Sequence, residues 1–405
     1  MPAEYDRRSL RILSIGHGCA DACQGALPAL LPFLVASRGY SFGQVSALVL
    51  AGTIASSVVQ PLFGIASDRR SLAWLMPAGL LAGGVGIAVA GVLPTYGLVF
   101  AAVVVSGLGI AAYHPEGSRY AAYASGPRRA TGMSVFSVGG NIGFAVGPIL
   151  VTPALLALGL AGSVVLLIPA IGAAALLAAS LPRLHGLRPA DGHRAATADA
   201  GPDDWPAFGR LGLAVTLRSF IYFGLVTFVP LYFIGHLGTS KATGNTALAA
   251  MLAAGAIGTL VGGRVADRVG TRAVFAGSMA LVGPLLVVFL LAGVAGAFAA
   301  IALIGAVTIS TFSVSVVIAQ DLLPRRLGLA SGVTLGLSIG LGGVGAVLLG
   351  LIADAEGIRA ALEWLLVLPP LTCLLALTLP RPARGRAGRA APPPERIPAL
   401  QPEQP

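Results

Sequence analysis

The fold is decided by two related stretches of sequence, GIASDRR at residues 64–70 and GRVADRVGTR at residues 263–272. Each stretch follows a long apolar segment, and the two lie 199 positions apart. A second pair repeats at an offset of 200, with ATGMSVFSVGGNIG at residues 130–143 and ASGVTLGLSIGLGG at residues 330–343. Because two kinds of motif share nearly one spacing, we predict two similar halves in parallel orientation, an architecture found in secondary transporters.

The composition around these motifs is typical of a membrane protein. The chain is 56% hydrophobic and only 10% charged, with a mean hydropathy of +0.86, whereas soluble domains carry about 25% charged residues. An apolar segment of about 20 residues can cross a bilayer as a helix. We predict an all-α polytopic membrane protein with twelve transmembrane helices in two pseudo-symmetric six-helix bundles. The predicted spans are 12–36, 44–66, 72–93, 97–119, 130–156, 160–181, 209–235, 245–266, 272–293, 297–320, 328–352 and 358–380.

The polar segments divide the chain into four predicted parts. Residues 1–181 form the N-terminal bundle, 182–208 a cytoplasmic linker, 209–380 the C-terminal bundle and 381–405 a disordered cytoplasmic tail rich in Pro and Arg. With the N-terminus inside, 22 of the 26 Lys and Arg residues lie on the cytoplasmic side, three lie outside and Arg218 lies within a span. This asymmetry predicts that both termini are cytoplasmic. It also explains the net charge of +10 without nucleic acid as a partner.

Several motifs resemble those of the major facilitator superfamily. The second basic loop matches the loop signature of that superfamily at Gly263, Asp267, Arg268, Gly270 and Arg272, and GFAVGP at residues 143–148 resembles part of an antiporter motif. A closer resemblance is to the fosmidomycin-resistance efflux family. It rests on four stretches: GHGCADACQGALP (16–28), YHPEGSR (113–119), SVGGNIGFAVGP (137–148) and AQDLLPRRLGLASG (319–332). The resemblance implies a proton-driven exporter of drug-like or organic anionic compounds.

Asp21 is the most informative polar residue of the first span. It lies about nine residues into that span, or roughly 13 Å deep, where a lone carboxylate costs about 2.5–3.5 kcal/mol. His17, Asp21 and Gln24 are spaced i, i+4 and i+7, so they share one helix face. We predict that Asp21 and His17 couple protons to transport and that Gln24 contacts substrate. The alternative is that Asp21 forms a structural ion pair between the halves.

Arg218 is the corresponding charge of the seventh span, at a similar depth. Its forked guanidinium suits a carboxylate or phosphonate, Tyr222 lies on the same helix face, and the resemblance places both spans on the central cavity. We predict that Arg218 and Tyr222 bind substrate and that Asn141 lines the cavity or bonds a neighbouring helix. We hypothesise that deprotonated Asp21 pairs with Arg218, that a proton from outside neutralises Asp21 and frees Arg218, and that an anionic substrate from the cytoplasm displaces that proton. A purely structural role for Arg218 is the alternative.

Charged residues near the basic loops predict an inner gate. The fourth span approaches the cytoplasmic boundary at His114, and Pro115 loosens the helix there. By resemblance to the superfamily, Asp68 reaches Arg119 or the N-terminus of span eleven, and we expect Asp68→Asn to change the transport rate more than substrate affinity. Ordinary interfacial charges, or a proton-handling His114 or Glu116, are alternatives. The predicted gate comprises Asp68, Arg69, His114, Glu116, Arg119, Asp267, Arg268, Gln320 and Asp321.

Two sets of glycines recur every four residues, a spacing at which helix backbones can approach closely. We interpret them as helix-packing positions, with ligand contact as the alternative. They are Gly139, Gly143 and Gly147 in the first half and Gly332, Gly336 and Gly340 in the second.

The favoured function is secondary active transport by a proton-coupled antiporter that exports small anionic or drug-like compounds. A symporter or facilitator importing an organic anion is one alternative, and a non-transporting membrane sensor is another. We predict no enzyme activity, because only His17, Asp21 and Arg218 converge at one depth, and no cofactor or metal. The expected partners are a small-molecule substrate, protons and the lipid bilayer. We expect a monomer in a bacterial inner (plasma) membrane.

Overall fold

A computed structural model describes residues 5–69, 72–187 and 202–380, which form helices and no strand. The predicted tail lies outside the described residues. The first half contains α1 (Arg7–Arg38), α2 (Phe42–Ser57), α3 (Gln60–Arg69), α4 (Leu75–Ala90), α5 (Tyr96–Ser125), α6 (Arg129–Leu158) and α7 (Leu167–His185). The second half contains α8 (Trp205–Gly235), α9 (Lys241–Val269), α10 (Thr271–Leu291), α11 (Val294–Ile309), α12 (Thr311–Leu322), α13 (Leu327–Glu356), α14 (Ile358–Trp364) and α15 (Leu368–Leu377).

The helices confirm the predicted all-α membrane fold. Ten helical segments of the described chain are long and apolar enough to cross a bilayer. One of them, Thr131–His185, is 55 residues long and contains α6 and α7, joined by the 3₁₀ turn Gly159–Leu166, so it supplies two spans. The shorter apolar helix α4 completes the twelve.

The helices on either side of the predicted linker are longer than their apolar segments. Helix α7 continues to His185 and α8 begins at Trp205, whereas the spans were predicted to end at 181 and begin at 209. The Asp204 side chain caps α8 by accepting a hydrogen bond of 3.0 Å from the backbone N–H of Ala207. A polar capping residue can therefore extend a helix past the membrane segment that hydropathy detects.

The loops repeat between the halves as the sequence predicts. Gly39 ends α1 with φ of 65°, and Gly238 follows α8 with φ of 67°, a left-handed conformation that glycine adopts without strain. Two residues further on, Ser41 and Ser240 cap α2 and α9. Both pairs lie 199 positions apart, so equivalent residues make equivalent turns in the two halves.

A second repeated contact marks the opposite end of the molecule, here called the basic end. The backbone N–H of Asp6 donates to the carbonyl of Ala124, and that of Asp204 donates to the carbonyl of Leu322, both at 2.8 Å. Each bond ties the residue before the first helix of a half to the C-terminal region of its fourth span. The end at Gly39 and Gly238 is called the hairpin end.

Two predicted spans are broken rather than continuous. The second span divides into α2 and α3, where Pro61 lacks the N–H that would bond the preceding turn. The tenth span divides into α11 and α12 at Ser310, where the hydroxyls of Ser310 and Thr311 bond the carbonyls of Val307 and Thr308. Such local bonds compete with regular helix geometry, and hydropathy does not register them.

The two halves are joined at the hairpin end. The Asp354 carboxylate of α13 accepts hydrogen bonds from the backbone N–H groups of Phe42 and Gly43, at 2.7 and 2.8 Å. The buried Asn245 of α9 donates to the carbonyl of Ala29 in α1 at 3.1 Å. One hydrophobic core spans both halves, whereas residues of the first half near the basic end form a separate cluster. The described structure is therefore closed at the hairpin end, and the halves separate toward the basic end.

Candidate functional site

Asp21 lies between two histidines from different helices. Its Oδ2 is 3.4 Å from Nε2 of His17 on α1, and its Oδ1 is 3.2 Å from Nε2 of His114 on α5. The exposed fractions of the His17, Asp21 and His114 side chains are 12%, 17% and 20%, so this His–Asp–His cluster is mostly buried but not sealed. Asp21 is 14 residues from the start of α1, which places the cluster about 20 Å along the helix.

Both histidine rings are held by backbone carbonyls. Nδ1 of His17 lies 2.8 Å from the carbonyl oxygen of Phe136, and Nδ1 of His114 lies 2.8 Å from that of Ile110. A carbonyl oxygen only accepts hydrogen bonds, so each Nδ1 carries a hydrogen and each Nε2 is directed at Asp21. The ring of His17 also stacks on Phe136, with the centroids 4.2 Å apart. The two carbonyl contacts fix the orientation of both rings, and the stacking on Phe136 adds to this for His17.

Close helix contacts around the cluster leave little space. A Cβ atom at Gly140 would lie 2.5 Å from Oδ2 of Asp21 and 2.6 Å from Nε2 of His17, so any side chain at this position of α6 would displace the cluster. Behind the rings, the buried Tyr113 hydroxyl donates to the carbonyl of Leu13 at 2.6 Å. Steric fit therefore positions the cluster as much as its charges do.

The position of His114 corrects the sequence-based grouping. The sequence placed His114 at the cytoplasmic boundary, as part of the inner gate. Helix α5 continues to Ser125, so His114 lies 11 residues, or about 16 Å, inside the helix end. The geometry therefore places His114 with Asp21 and His17 rather than at the end of the helix.

Arg218 occupies a separate, fully buried site in the second half. It is 0% exposed and donates to the hydroxyls of Ser338 at 2.8 Å and Thr311 at 3.2 Å, while Ser315 Oγ lies 3.5 Å away. Its guanidinium carbon lies 4.0 Å from the ring centroid of Phe312. We call Arg218, Thr311, Ser315 and Ser338 the arginine site.

The arginine site has no acidic partner among the described residues. Ion pairs within 4.0 Å join Asp21 to the two histidines, and Nε of Arg218 has no hydrogen-bond partner in the described part of the chain. The hypothesised direct pair of Asp21 with Arg218 is therefore not formed in this conformation. Burying a charge without an opposite charge is costly, and here hydroxyl groups alone hydrogen-bond the guanidinium among the described residues.

A cavity lies mainly within the first half, where α1, α2, α4, α5 and α6 line it, and α8 of the second half also reaches its wall. Its wall includes Gln24 and Thr53 from the first half and Phe223 from the second. Gln24, a predicted substrate residue, also donates to the Ser56 hydroxyl at 3.4 Å.

Two further predicted substrate residues, Tyr222 and Asn141, are not part of the cavity wall. Tyr222 is 5% exposed and packs edge-on against Phe223 and Phe312. Asn141 is half-buried on α6, next to Gly140.

Two of the predicted inner-gate residues, Glu116 and Arg119, form an ion pair. Glu116 is 0% exposed and accepts hydrogen bonds from the Arg119 guanidinium at 2.6 and 2.8 Å and from the backbone N–H of Leu72 at 2.9 Å. This pair fastens α5 to the segment that follows the first basic loop. Asp267, Arg268 and Asp321 are exposed, and Gln320 is half-buried, at the ends of α9 and α12. The side chains of Asp68 and Arg69 lie outside the described residues.

The two glycine sets behave differently. A Cβ at Gly139 or Gly143 would collide with the backbone of α1 at Ser14 or Gly18, and one at Gly147 with the carbonyl of Ala22. In the second half, Gly340 packs on Ser57, but a Cβ at Gly332 or Gly336 would meet no described atom within 4 Å. Helix packing thus accounts for the first set, and the described structure gives it no support at Gly332 and Gly336.

Among the described residues, the donor atoms of the His–Asp–His cluster also have the spacing that a small cation needs. The donor atoms of His17, Asp21 and His114 all lie within 4.8 Å of one another. We assign no metal to it. Each Nε2 already faces an oxygen of Asp21, and a proton alone can bridge such a contact.

Comparison with known proteins identifies relatives along nearly the whole chain. The sequence profile of the Major Facilitator Superfamily matches residues 13–238 and 211–401. A Bacillus subtilis protein described as an uncharacterized MFS-type transporter, YfnC, is 35% identical over 378 residues, which cover 92% of each chain. The Escherichia coli fosmidomycin resistance protein is 32% identical over 388 residues, also covering 92% of each chain.

Solved transporter structures share the fold. A bacterial homolog of the human lysosomal transporter Spinster, in an inward-facing and occupied conformation, superposes with a TM-score of 0.78 at 15% identity, covering 92% of this chain and 96% of that one. The human organic anion transporter MFSD10 superposes with a TM-score of 0.64 at 20% identity, covering 92% of this chain and all of that one. At these identities, the similarity establishes the fold alone.

Proposed function

The chain belongs to the major facilitator superfamily, and we propose that this transporter is a proton-coupled antiporter that exports small anionic or drug-like compounds. Membership makes it a multi-pass membrane transporter rather than an enzyme. The direction of transport, the coupling ion and the substrate class are the parts that we propose.

One observation carries the proposal: each half holds one buried polar centre at the same depth. Asp21 is 14 residues from the start of α1, and Arg218 is 13 residues from the start of α8. Both therefore lie about 20 Å along equivalent helices. The cluster at Asp21 can hold protons, and no described residue gives the arginine site a negative charge, so the two halves offer complementary sites for a proton and an anion.

The proposed cycle uses rocking of the two halves about the central sites. An anion entering from the basic end binds near Arg218, whose fork suits carboxylate or phosphonate groups. Its negative charge stabilises the guanidinium while the protons on the His–Asp–His cluster leave on the same side. The halves then close at the basic end and open at the hairpin end, where the anion is released and protons from outside restore the cluster.

Charge and relatives support the direction of export. The asymmetry of Lys and Arg supports a cytoplasmic basic end, which would make the described conformation inward-facing. The E. coli relative is named for resistance to a drug, and resistance is what an exporter confers. We propose in addition that residues 1–181 and 209–380 move as the two rocking units, joined by the linker 182–208, that both termini are cytoplasmic, and that the monomer is functional.

An accumulation assay tests the proposal. A host that lacks its own pumps expresses the chain and is challenged with a panel of anionic and drug-like compounds, fosmidomycin among them, with and without an uncoupler. Export predicts lower accumulation on expression, and a rise when the uncoupler collapses the gradient. Accumulation that rises on expression and falls with the uncoupler would instead indicate import by a symporter.

Substitution of Arg218 tests the anion site in the same assay. Removing one partner of a buried charged contact costs about 2–5 kcal/mol, so Arg218→Gln should abolish export. Arg218→Lys keeps the charge but loses the fork, and we expect a weaker apparent affinity. Arg359→Lys is the matched control, because Arg359 forms an exposed ion pair with Glu363 at 2.9 Å and should not affect transport. Unchanged export by Arg218→Gln would refute the anion site.

A further inference from the structure

We propose that the His–Asp–His cluster binds two protons at once, one at each contact between an imidazole Nε2 and the Asp21 carboxylate. The inference rests on the proposed proton coupling and deepens it, since it adds His114 to the coupling site and sets the number of protons moved per cycle at two.

The backbone contacts of the rings decide where the protons can sit. Nδ1 of His17 and Nδ1 of His114 each lie 2.8 Å from a main-chain carbonyl oxygen, which accepts but cannot donate. Each Nδ1 therefore keeps its hydrogen in every charge state of the ring. Nε2 is the only ring nitrogen left to gain or lose a proton, and in both rings it faces an oxygen of Asp21.

The number of protons follows from the two contacts. Without a proton, the lone pairs of both Nε2 atoms face the negative carboxylate, and both contacts are repulsive. One proton turns one contact, at 3.2 or 3.4 Å, into an attractive one and leaves the other repulsive. Two protons make both contacts attractive, and the cluster then carries one net positive charge. The described geometry directs both rings at one carboxylate, which is the arrangement that two bridging protons require.

The surroundings supply no competing proton carrier among the described residues. The other titratable side chains within electrostatic reach of Asp21 are Cys23 of α1, Tyr113 of α5 and, from the other half, Tyr222 of α8. The Tyr113 hydroxyl is already bonded to the carbonyl of Leu13. Helix α6 contributes the carbonyl and the ring of Phe136 and the backbone at Gly140, none of which titrates. The two protons are therefore shared within the cluster.

Loss of one proton has a mechanical consequence. It leaves one Nε2 and a carboxylate oxygen facing each other without a hydrogen, which forces α1 and α5 apart or turns a side chain away. Release of both protons toward the basic end removes two positive charges from the cluster before the two halves rock. We therefore expect the cluster to lose its protons as a pair within each cycle.

Nitrogen NMR tests the inference without a substrate. Full-length protein labelled with ¹⁵N-histidine is placed in lipid nanodiscs, and its five histidines are assigned with His17→Gln, His114→Gln and His236→Gln. We expect both cluster rings to keep the Nδ1 hydrogen at all pH values and to exchange protons only at Nε2. Asp21→Asn should remove the Nε2 proton from both rings at a pH at which the native cluster holds it. His236, at the hairpin end, should be unaffected.

The NMR result also defines failure. If Asp21→Asn changes the charge of one ring only, the cluster is a one-proton site and the inference is wrong. A bare Nδ1 in either ring would overturn it as well, because the protons would then sit elsewhere. These outcomes do not depend on transport, so the antiporter proposal can stand or fall separately.

Transport equilibrium gives a second, independent measure. In proteoliposomes with the membrane potential clamped at zero, two protons exchanged per substrate allow a one-unit pH gradient to sustain about a hundredfold substrate gradient, whereas one proton sustains about tenfold. With the best substrate of the accumulation panel, we expect about a hundredfold gradient for the native protein and about tenfold for His114→Gln. A tenfold gradient in both would contradict the proposed stoichiometry.

Discussion

Gly140→Ala should disable proton coupling without disturbing the fold. The new Cβ atom would lie 2.5 Å from Asp21 Oδ2 and 2.6 Å from His17 Nε2, whereas ordinary contacts begin at 3.4 Å. The side chains must therefore move by about 1 Å, because the backbones of α1 and α6 already touch at Gly18 and Gly143 and cannot yield. Forcing one methyl group into such a packed site costs about 1–3 kcal/mol.

That cost falls on the proton-binding geometry. At about 1.4 kcal/mol per factor of ten, it corresponds to an approximately 5- to 150-fold lower population of the productive cluster. The helix itself loses nothing, since alanine favours a helix interior over glycine by about 1 kcal/mol. We therefore expect a folded protein that is destabilised by at most about 2 kcal/mol, together with impaired coupling.

Substrate-dependent proton flux into proteoliposomes, followed with a pH-sensitive dye, measures the effect. Gly172→Ala is the control, because a Cβ at Gly172 in α7 would meet no described atom within 4 Å. We expect the flux to fall at least about fivefold for Gly140→Ala and to stay unchanged for Gly172→Ala. Native flux in Gly140→Ala would refute the reasoning that this cluster carries the protons.

Two further predictions concern the ends of the helices. Asp354→Asn removes an anion from the N-terminus of α2, where Asp354 bonds Phe42 and Gly43, a contact worth about 0.3–1 kcal/mol. The ratio of molecules open at the hairpin end to molecules closed there should therefore rise about two- to fivefold. Pulsed EPR distances across the hairpin end measure this ratio, and an unchanged distance distribution would contradict the role of Asp354. Asp6→Ala should lower the melting temperature at neutral pH through loss of a helix cap worth about 1 kcal/mol. Burial raises the pKa of Asp6, but hydrogen bonds from Ser9 and the Arg183 guanidinium outweigh it and hold that pKa below 3.8. The stabilisation is therefore present above pH 3.8 and should vanish as the pH falls below it, so a melting difference that persists in acid would count against the assignment.

The twofold plan of the molecule could be predicted because it depends on short, strong local signals. Membrane helices need long apolar runs, and equivalent turns need equivalent residues, as Gly39 and Gly238 or Ser41 and Ser240 show. Features within the spans could not be predicted in this way. The interruptions at Pro61 and Ser310 do not change the average hydropathy of their spans. The first turn of α8, which begins at Trp205, lies outside the apolar segment that hydropathy detects.

The sequence groups His17 with Asp21 but assigns His114 to the inner gate, and this difference has a physical cause. The apolar segment ends near residue 119, whereas α5 ends at Ser125. A depth measured from the end of the apolar segment therefore places His114 too close to the helix end. Counting from the true helix end places His114 level with Asp21. A single acidic residue in a membrane helix indicates a site but does not reveal which residue contacts the acid. That residue lies on another helix, and the sequence does not determine how far the two helices are offset along their axes.

The surroundings of Arg218 illustrate the same limit. The sequence suggested an acid as its partner, because opposite charges at one depth attract each other. The structure surrounds it with hydroxyl groups instead. Thr311 and Ser315, at i and i+4, were visible in the sequence as a hydroxyl face of the tenth span. That signal could have predicted a polar site for Arg218, although not the third hydroxyl, from Ser338.

Substrate-dependent proton flux through purified Asp21→Asn protein in vesicles tests the central claim most directly. The claim is that the carboxylate of α1, held between two histidines, carries the protons exchanged for an anion bound near Arg218. We expect the native protein to move protons when substrate is added, and Asp21→Asn, folded and inserted to the same extent, to move none. Proton flux at the native rate in Asp21→Asn would contradict the account.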